Sequence, residues 1–119
     1  MAKHNELGKK GELLAVDFLK EKGFEILETN FRLDKDEIDI IAKDGSILVF
    51  VEVKTRSTDY FGEPEIAVGG NKIEFLLRAA ENYLISKNLN SEIRFDIISI
   101  VLNSKQKKIR HIIDAFYAE

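Results

Sequence analysis

Residues 36–56 read DEIDIIAKDGSILVFVEVKTR, and the way this stretch pairs with itself decides the fold. Asp44-Gly45 is a hairpin signal between two runs rich in β-branched residues. Two antiparallel strands are therefore expected, over about 36–43 and 46–54. With Asp44 and Gly45 as the turn residues, Ile41 faces Leu48, Asp39 faces Phe50 and Glu37 faces Glu52. Side chains alternate across a strand, and opposed residues share a face. One face then carries Ile38, Ile40, Ala42, Ile47, Val49, Val51 and Val53, and must be buried. The other carries Glu37, Asp39, Ile41, Leu48, Phe50, Glu52 and Lys54. It is apolar near the turn and charged at the far end.

On this register Asp39 and Glu52 are diagonal neighbours, with Cβ atoms roughly 5–8 Å apart. Lys54 lies beside Glu52 on the same face, and Glu37 is an additional acid. Charges interrupting an otherwise buried hairpin are expensive unless something offsets them. A hard divalent cation held by carboxylates, water and substrate phosphate is a natural partner. The plainer alternative is a charged sheet end laced by salt bridges, with Lys54 pairing Glu52.

Outward from the hairpin, residues 7–22 carry Leu7, Gly11, Leu14, Ala15, Phe18 and Leu19 at helical spacing, with Gly23 as a stop. Glu12 shares a stripe with Gly8, Ala15 and Leu19, at the edge of the buried face. Residues 24–32 read as a strand. Residues 55–70 read as a long loop, of a length often functional in small domains. A second helix is expected over about 72–87, with Asn71 as its cap. Two more strands follow, Arg94–Leu102 and Lys107–Ile113, the first interrupted by Asp96. The order αβββαββ predicts an α/β fold, a mixed sheet of about five strands flanked by two helices, as one domain over 1–119.

Composition narrows the chemistry. There is no cysteine among the 119 residues, which excludes disulfides, thiol nucleophiles and thiolate metal sites. His4 and His111 stand alone in the sequence, in no zinc-ligand spacing. No apolar run approaches the ~20 residues of a membrane span, and no signal-peptide core follows Met1. A cytoplasmic protein with no membrane partner is expected. The net charge of −3 argues against a uniformly basic nucleic-acid binder. Its distribution is uneven: Lys9, Lys10, Lys20 and Lys22 crowd the first helix, and Lys105, Lys107, Lys108, Arg110 and His111 the C-terminal end.

Glu37-Ile38-Asp39, a short hairpin, then Glu52-Val53-Lys54 resemble the PD-(D/E)XK nucleases, the restriction-endonuclease-like fold. Ile38 stands where the superfamily's proline would precede the acid. A wider resemblance covers most of the chain. Gly8-Lys9-Lys10-Gly11-Glu12, Gly23-Phe24, Asn30, Arg32, Phe50 to Arg56, Phe61-Gly62, Lys72 and Arg94-Phe95-Asp96 are similar to the YraN-like family of predicted endonucleases. That family is in turn similar to archaeal Holliday-junction resolvases. The resemblance implies that Asp39, Glu52 and Glu12 hold Mg²⁺ or Mn²⁺. It implies that Lys54 orients or helps deprotonate the attacking water, or offsets phosphate charge.

The expected activity is metal-dependent hydrolysis of phosphodiester bonds in DNA, on branched or repair intermediates. Arg56, Thr55, Lys72 and Arg32 are candidate contacts to the nucleic-acid backbone, Lys72 near a helix N-terminus where phosphate is favoured. Tyr60 and Phe61 are candidates for base stacking or loop anchoring. Symmetric cutting would need a homodimer, with Phe116 and Tyr117 as interface candidates. The alternatives are a non-catalytic nucleic-acid-binding module on the same fold, and a structural domain whose acids merely form salt bridges.

Overall fold

Alternating β-branched runs and two apolar helical stripes build a layered α/β structure. The computed structural model describes residues 2–33, 36–58 and 70–116, with backbone alone at 2–5, 33, 36, 70–72 and 116. The elements are α1 (Ala2–Glu21), β1 (Glu25–Leu33), β2 (Asp36–Asp44), β3 (Ile47–Arg56), α2 (Gly70–Ser86), β4 (Ile93–Leu102) and β5 (Lys107–Phe116). This is the expected order. The five strands form one sheet in sequence order, antiparallel except for the parallel pair β3–β4. A parallel pair needs a crossover, and α2 lies within it.

The helices cover opposite faces. Ala15 and Leu19 of α1 pack with Ile40, Ala42, Val49, Val51, Ile98 and Ile100. Phe75, Leu76, Ala79, Ala80 and Tyr83 of α2 pack with Ile38, Ile41, Leu48, Phe50 and Phe95. Helix α1 stops at Gly23 as its sequence predicts. Gly23 has φ +96°, its N–H donates to the Lys20 carbonyl (3.0 Å), and the Phe24 N–H donates to the Leu19 carbonyl (2.9 Å). These two bonds satisfy carbonyls that the last helical turn leaves over.

Two expectations need correction. The hairpin turn is Gly45-Ser46, with Asp44 paired to Ile47 and Ile41 to Phe50. Gly45 adopts φ +64°, a region glycine enters without steric penalty. Moving the turn by one residue shifts every pair by two, so faces are preserved although partners change. The exception is Ile38, which packs under α2 with Ile41 while Ile40 packs under α1. Alternation therefore breaks at Asp39. Helix α2 begins at Gly70, so Asn71 lies inside it rather than capping it. The side chain of Lys72 and all of Tyr60, Phe61 and Tyr117 fall outside the described residues, as does the Phe116 side chain.

Candidate metal centre

The site begins where the β2–β3 ladder ends. The last paired residues are Ile40 and Val51. Beyond them the Asp39 carboxylate takes the place of a backbone acceptor, receiving the Val53 N–H at 2.8 Å. A ladder N–H points within the plane of the sheet, so the Asp39 carboxylate sits in the gap between the strands. Across β1, the residue in register with Asp39 is Asn30, which adopts φ +52°. Asparagine tolerates this left-handed region better than most side chains. The two irregular residues lie side by side.

Three carboxylates meet here. Oxygens of Glu12, Glu37 and Asp39 lie within 4.8 Å of one another, all half-buried. Glu12 comes from α1, the other two from β2. Burial pushes the Glu12 carboxyl above its ordinary value, and the charges of Asp39 and Glu37 push it further; a hydrogen bond with Asn30 pulls it partly back. Arg32 lies 3.5 Å from Glu37, but it is 68% exposed and offsets little of the charge.

Glu12 reaches the strands because its neighbour is glycine. A Cβ at Gly11 would collide with the Thr55 side chain, which is β-branched and cannot swing away. Gly11 thus lets α1 settle directly on β3. Thr55, expected at the nucleic-acid surface, packs under the helix at this contact.

Glu52 is not one of the three gathered acids. Val49, Val51 and Val53 pack toward α1, so alternation directs Glu52 and Lys54 toward the α2 side. Continuing the observed register sets Asp39 across from Glu52 rather than Phe50. Burial along β3 is complete from Leu48 through Val51 and partial from Glu52 to Arg56, so charge starts where the fully buried run stops. Glu52 Oε1 is itself buried. The donor set is all carboxylate oxygen, which suits Mg²⁺ or Mn²⁺ and not a soft metal.

A second polar cluster gathers around the acid that interrupts the apolar run of β4. Asp96, buried in β4, receives both Nε and Nη2 of Arg94 (2.9 Å each), the Asp114 N–H (3.0 Å) and His111 Nε2 (2.7 Å). Arg94 Nη1 reaches Asp44 at 2.9 Å, and Lys22 Nζ meets His111 Nδ1 at 2.7 Å. An ammonium only donates, so Nδ1 accepts and Nε2 carries the proton given to Asp96. Burial alone would raise the Asp96 carboxyl. The bonds from His111, Arg94 and the Asp114 amide outweigh it and hold the group below the usual carboxylate range. His111, solitary in sequence, is thus paired in space.

Fold and site together define an α/β protein with a carboxylate cluster fit for a hard cation. The chain belongs to the family described as Uncharacterised protein family UPF0102, whose profile matches residues 11–100. It is 55% identical over 117 residues to a UPF0102 protein of Flavobacterium psychrophilum and 53% identical over 117 residues to one of Christiangramia forsetii, each covering 98% of both chains. It is 48% identical over 112 residues to a UPF0102 protein of Thermodesulfovibrio yellowstonii, covering 94% of this chain and 96% of the relative. Among the described residues no helix is long and apolar enough to cross a membrane.

Proposed function

We propose that this chain is a metal-dependent nuclease of the PD-(D/E)XK type, hydrolysing phosphodiester bonds in DNA. The convergence of Glu12, Glu37 and Asp39 carries the reading. Three carboxylates this close repel one another, and a divalent cation is the simplest partner that turns the repulsion into attraction. A bound Mg²⁺ or Mn²⁺ supplies Lewis-acid activation of the phosphate and of the attacking water. Glu12 and Asp39 hold the ion, with Glu37 as a further ligand. Asp39 is fixed by the Val53 amide, so its carboxylate is aimed before any ligand arrives. Glu52 adjoins that amide in the chain and flanks the same gap from β3. Lys54, two residues on, balances phosphate charge or takes a proton from water. Arg56, at the end of β3, contacts the neighbouring backbone; contacts of this type set position and do not read bases.

One observation favours a second reading, a nucleic-acid-binding module without catalysis: Glu52 stands apart from the three gathered acids. Labelled duplex, single strand, flap and four-way junction incubated with Mn²⁺ separate the two. Wild type is expected to cut at least one of them. Asp39→Ala is expected to lower the rate by about a thousandfold, roughly 4 kcal/mol of barrier. Binding without cleavage in wild type would establish the second reading. If Mn²⁺ neither binds nor raises the melting temperature, both the ion and the hydrolysis are lost.

A further inference from the structure

Members of the two lysine clusters, far apart in sequence, meet along α1. Lys10 and Lys107 line the same groove, together with Leu13, Leu14, Asp17 and Leu102. Lys10 also lines an adjoining groove with Leu102, Asn103 and Ser104. On the other flank of the helix, Lys9 shares a groove with Glu12 and Asn30 of the candidate metal centre. The β4–β5 turn is held against the end of β3, because Asn103 Nδ2 donates to the Ser57 carbonyl at 2.7 Å. The same Asn103 side chain accepts the amides of Lys105 and Gln106, which fixes the turn itself. Lys9, Lys10, Lys105 and Lys107 are all exposed. Among the described residues, the acids lining these grooves are Glu6, Asp17 and, beside Lys9, Glu12.

We infer that the first half of α1 and the β4–β5 turn form one surface that grips a nucleic-acid backbone beside the reacting phosphate. The inference rests on the nuclease reading and adds to it where the substrate lies. Lys10 and Lys9 are two and three residues from Glu12, about 3 and 4.5 Å along the helix axis. Lys9, about one helical turn before Glu12, lines the same groove as that acid, so the basic surface reaches the acids through Lys9. A net-acidic chain approaching a polyanion needs such a local concentration of lysine, and the sequence alone could not show that the two clusters coincide. Point-charge ammonium groups, with no aromatic ring lining these grooves among the described residues, fit phosphates of any sequence rather than bases.

The test is binding of a fluorescein-labelled DNA duplex in EDTA, read by anisotropy at several salt concentrations. Lys10→Glu/Lys107→Glu is expected to bind at least tenfold more weakly than wild type, with a salt slope smaller by about 2. Lys9→Glu/Lys105→Glu is expected to do the same with unchanged melting temperature. Lys20→Glu, at the far end of α1, should stay within about twofold, since it removes no phosphate contact. If wild type binds and both double variants bind equally well, the surface is elsewhere and the nuclease reading stands. If wild type binds no DNA, that reading falls and the surface with it. Wild type binding phosphatidylglycerol vesicles but not DNA would overturn the inference in favour of an acidic lipid partner.

Discussion

Asp39 and Asp96 use one structural device in opposite surroundings. Each sits at a break in a β-ladder, and each carboxylate accepts a backbone N–H from the neighbouring strand, Val53 for one and Asp114 for the other. Each break has a non-glycine residue at positive φ beside it, Asn30 at 52° and Asp114 at 58°. Around Asp96 the chain supplies Arg94 and His111, and the acid is satisfied from within. Around Asp39 it supplies Glu12 and Glu37, and the charge accumulates. A buried acid with its own donors holds a fold together. An acid gathered with other acids concentrates negative charge instead, and that contrast separates the self-satisfied cluster from the candidate metal centre.

The contrast breaks most visibly at Asp96. Asp96→Ala removes the acceptor of the His111 imidazole and leaves the partly buried Arg94 guanidinium with Asp44 alone, and is expected to destabilise by about 3 kcal/mol in urea unfolding. Asp39→Ala, by comparison, should leave stability within about 1 kcal/mol, because it also relieves repulsion. Equal losses at the two positions would mean that both clusters are structural. Gly11→Ala comes next. It forces α1 away from Thr55, at about 1–3 kcal/mol, and should weaken Mn²⁺ binding measured by calorimetry by displacing Glu12.

Smaller effects sharpen the comparison. Glu12→Gln removes one of three like charges, so the metal-free melting temperature should rise by about 1–4 °C at pH 7. The same variant should lose most of the stabilisation that Mn²⁺ gives wild type, about 1.4 kcal/mol at tenfold over Kd. The pH dependence separates the clusters by sign. Asp96 lies below its unfolded value, so its contribution is present above about pH 3.9 and is lost as pH falls through the folded value. Glu12 lies above its unfolded value, so the folded chain holds that proton more tightly. Stability then declines as pH rises from about 4.3 through the raised value. Urea midpoints from pH 3 to 8 should show the second slope vanish in Glu12→Gln and persist in Lys20→Glu.

The fold was largely legible because periodicity is a property of neighbours. Leu14, Ala15, Phe18 and Leu19 announce α1, and the valines and isoleucines of 38–53 announce the hairpin. The turn falls one residue later than the sequence predicts, since Asp44-Gly45 and Gly45-Ser46 both offer glycine. The parity of faces survived, as the step is even. What alternation cannot contain is its own interruption: nothing in Ile38-Asp39-Ile40 signals that Ile38 turns away from Ile40. Glu37 enters the acid cluster by that turn. The Asp96–His111 pair was hidden for another reason. Its members are fifteen residues apart on adjacent strands, and the bulge in β4–β5 between Phe95 and Ile97 that brings them together has no glycine or proline to mark it.

The single parallel seam of the sheet has a consequence for how the molecule assembles. Strands β1–β3 form one ribbon by short-range pairing and β4–β5 another, but β3 and β4 can join only after some forty residues of chain have been drawn in, a slow step. Helix α1 lies over both ribbons, with Val49 and Val51 of one and Ile98 and Ile100 of the other beneath it. Its seat is therefore incomplete until the last two strands have docked. All three gathered acids are synthesised within the first third of the chain, yet the helix that carries Glu12 gains its full footing only at the end. A nascent or truncated polypeptide would hold the three acids without the geometry that gathers them, and the cluster would arrive together with the finished fold.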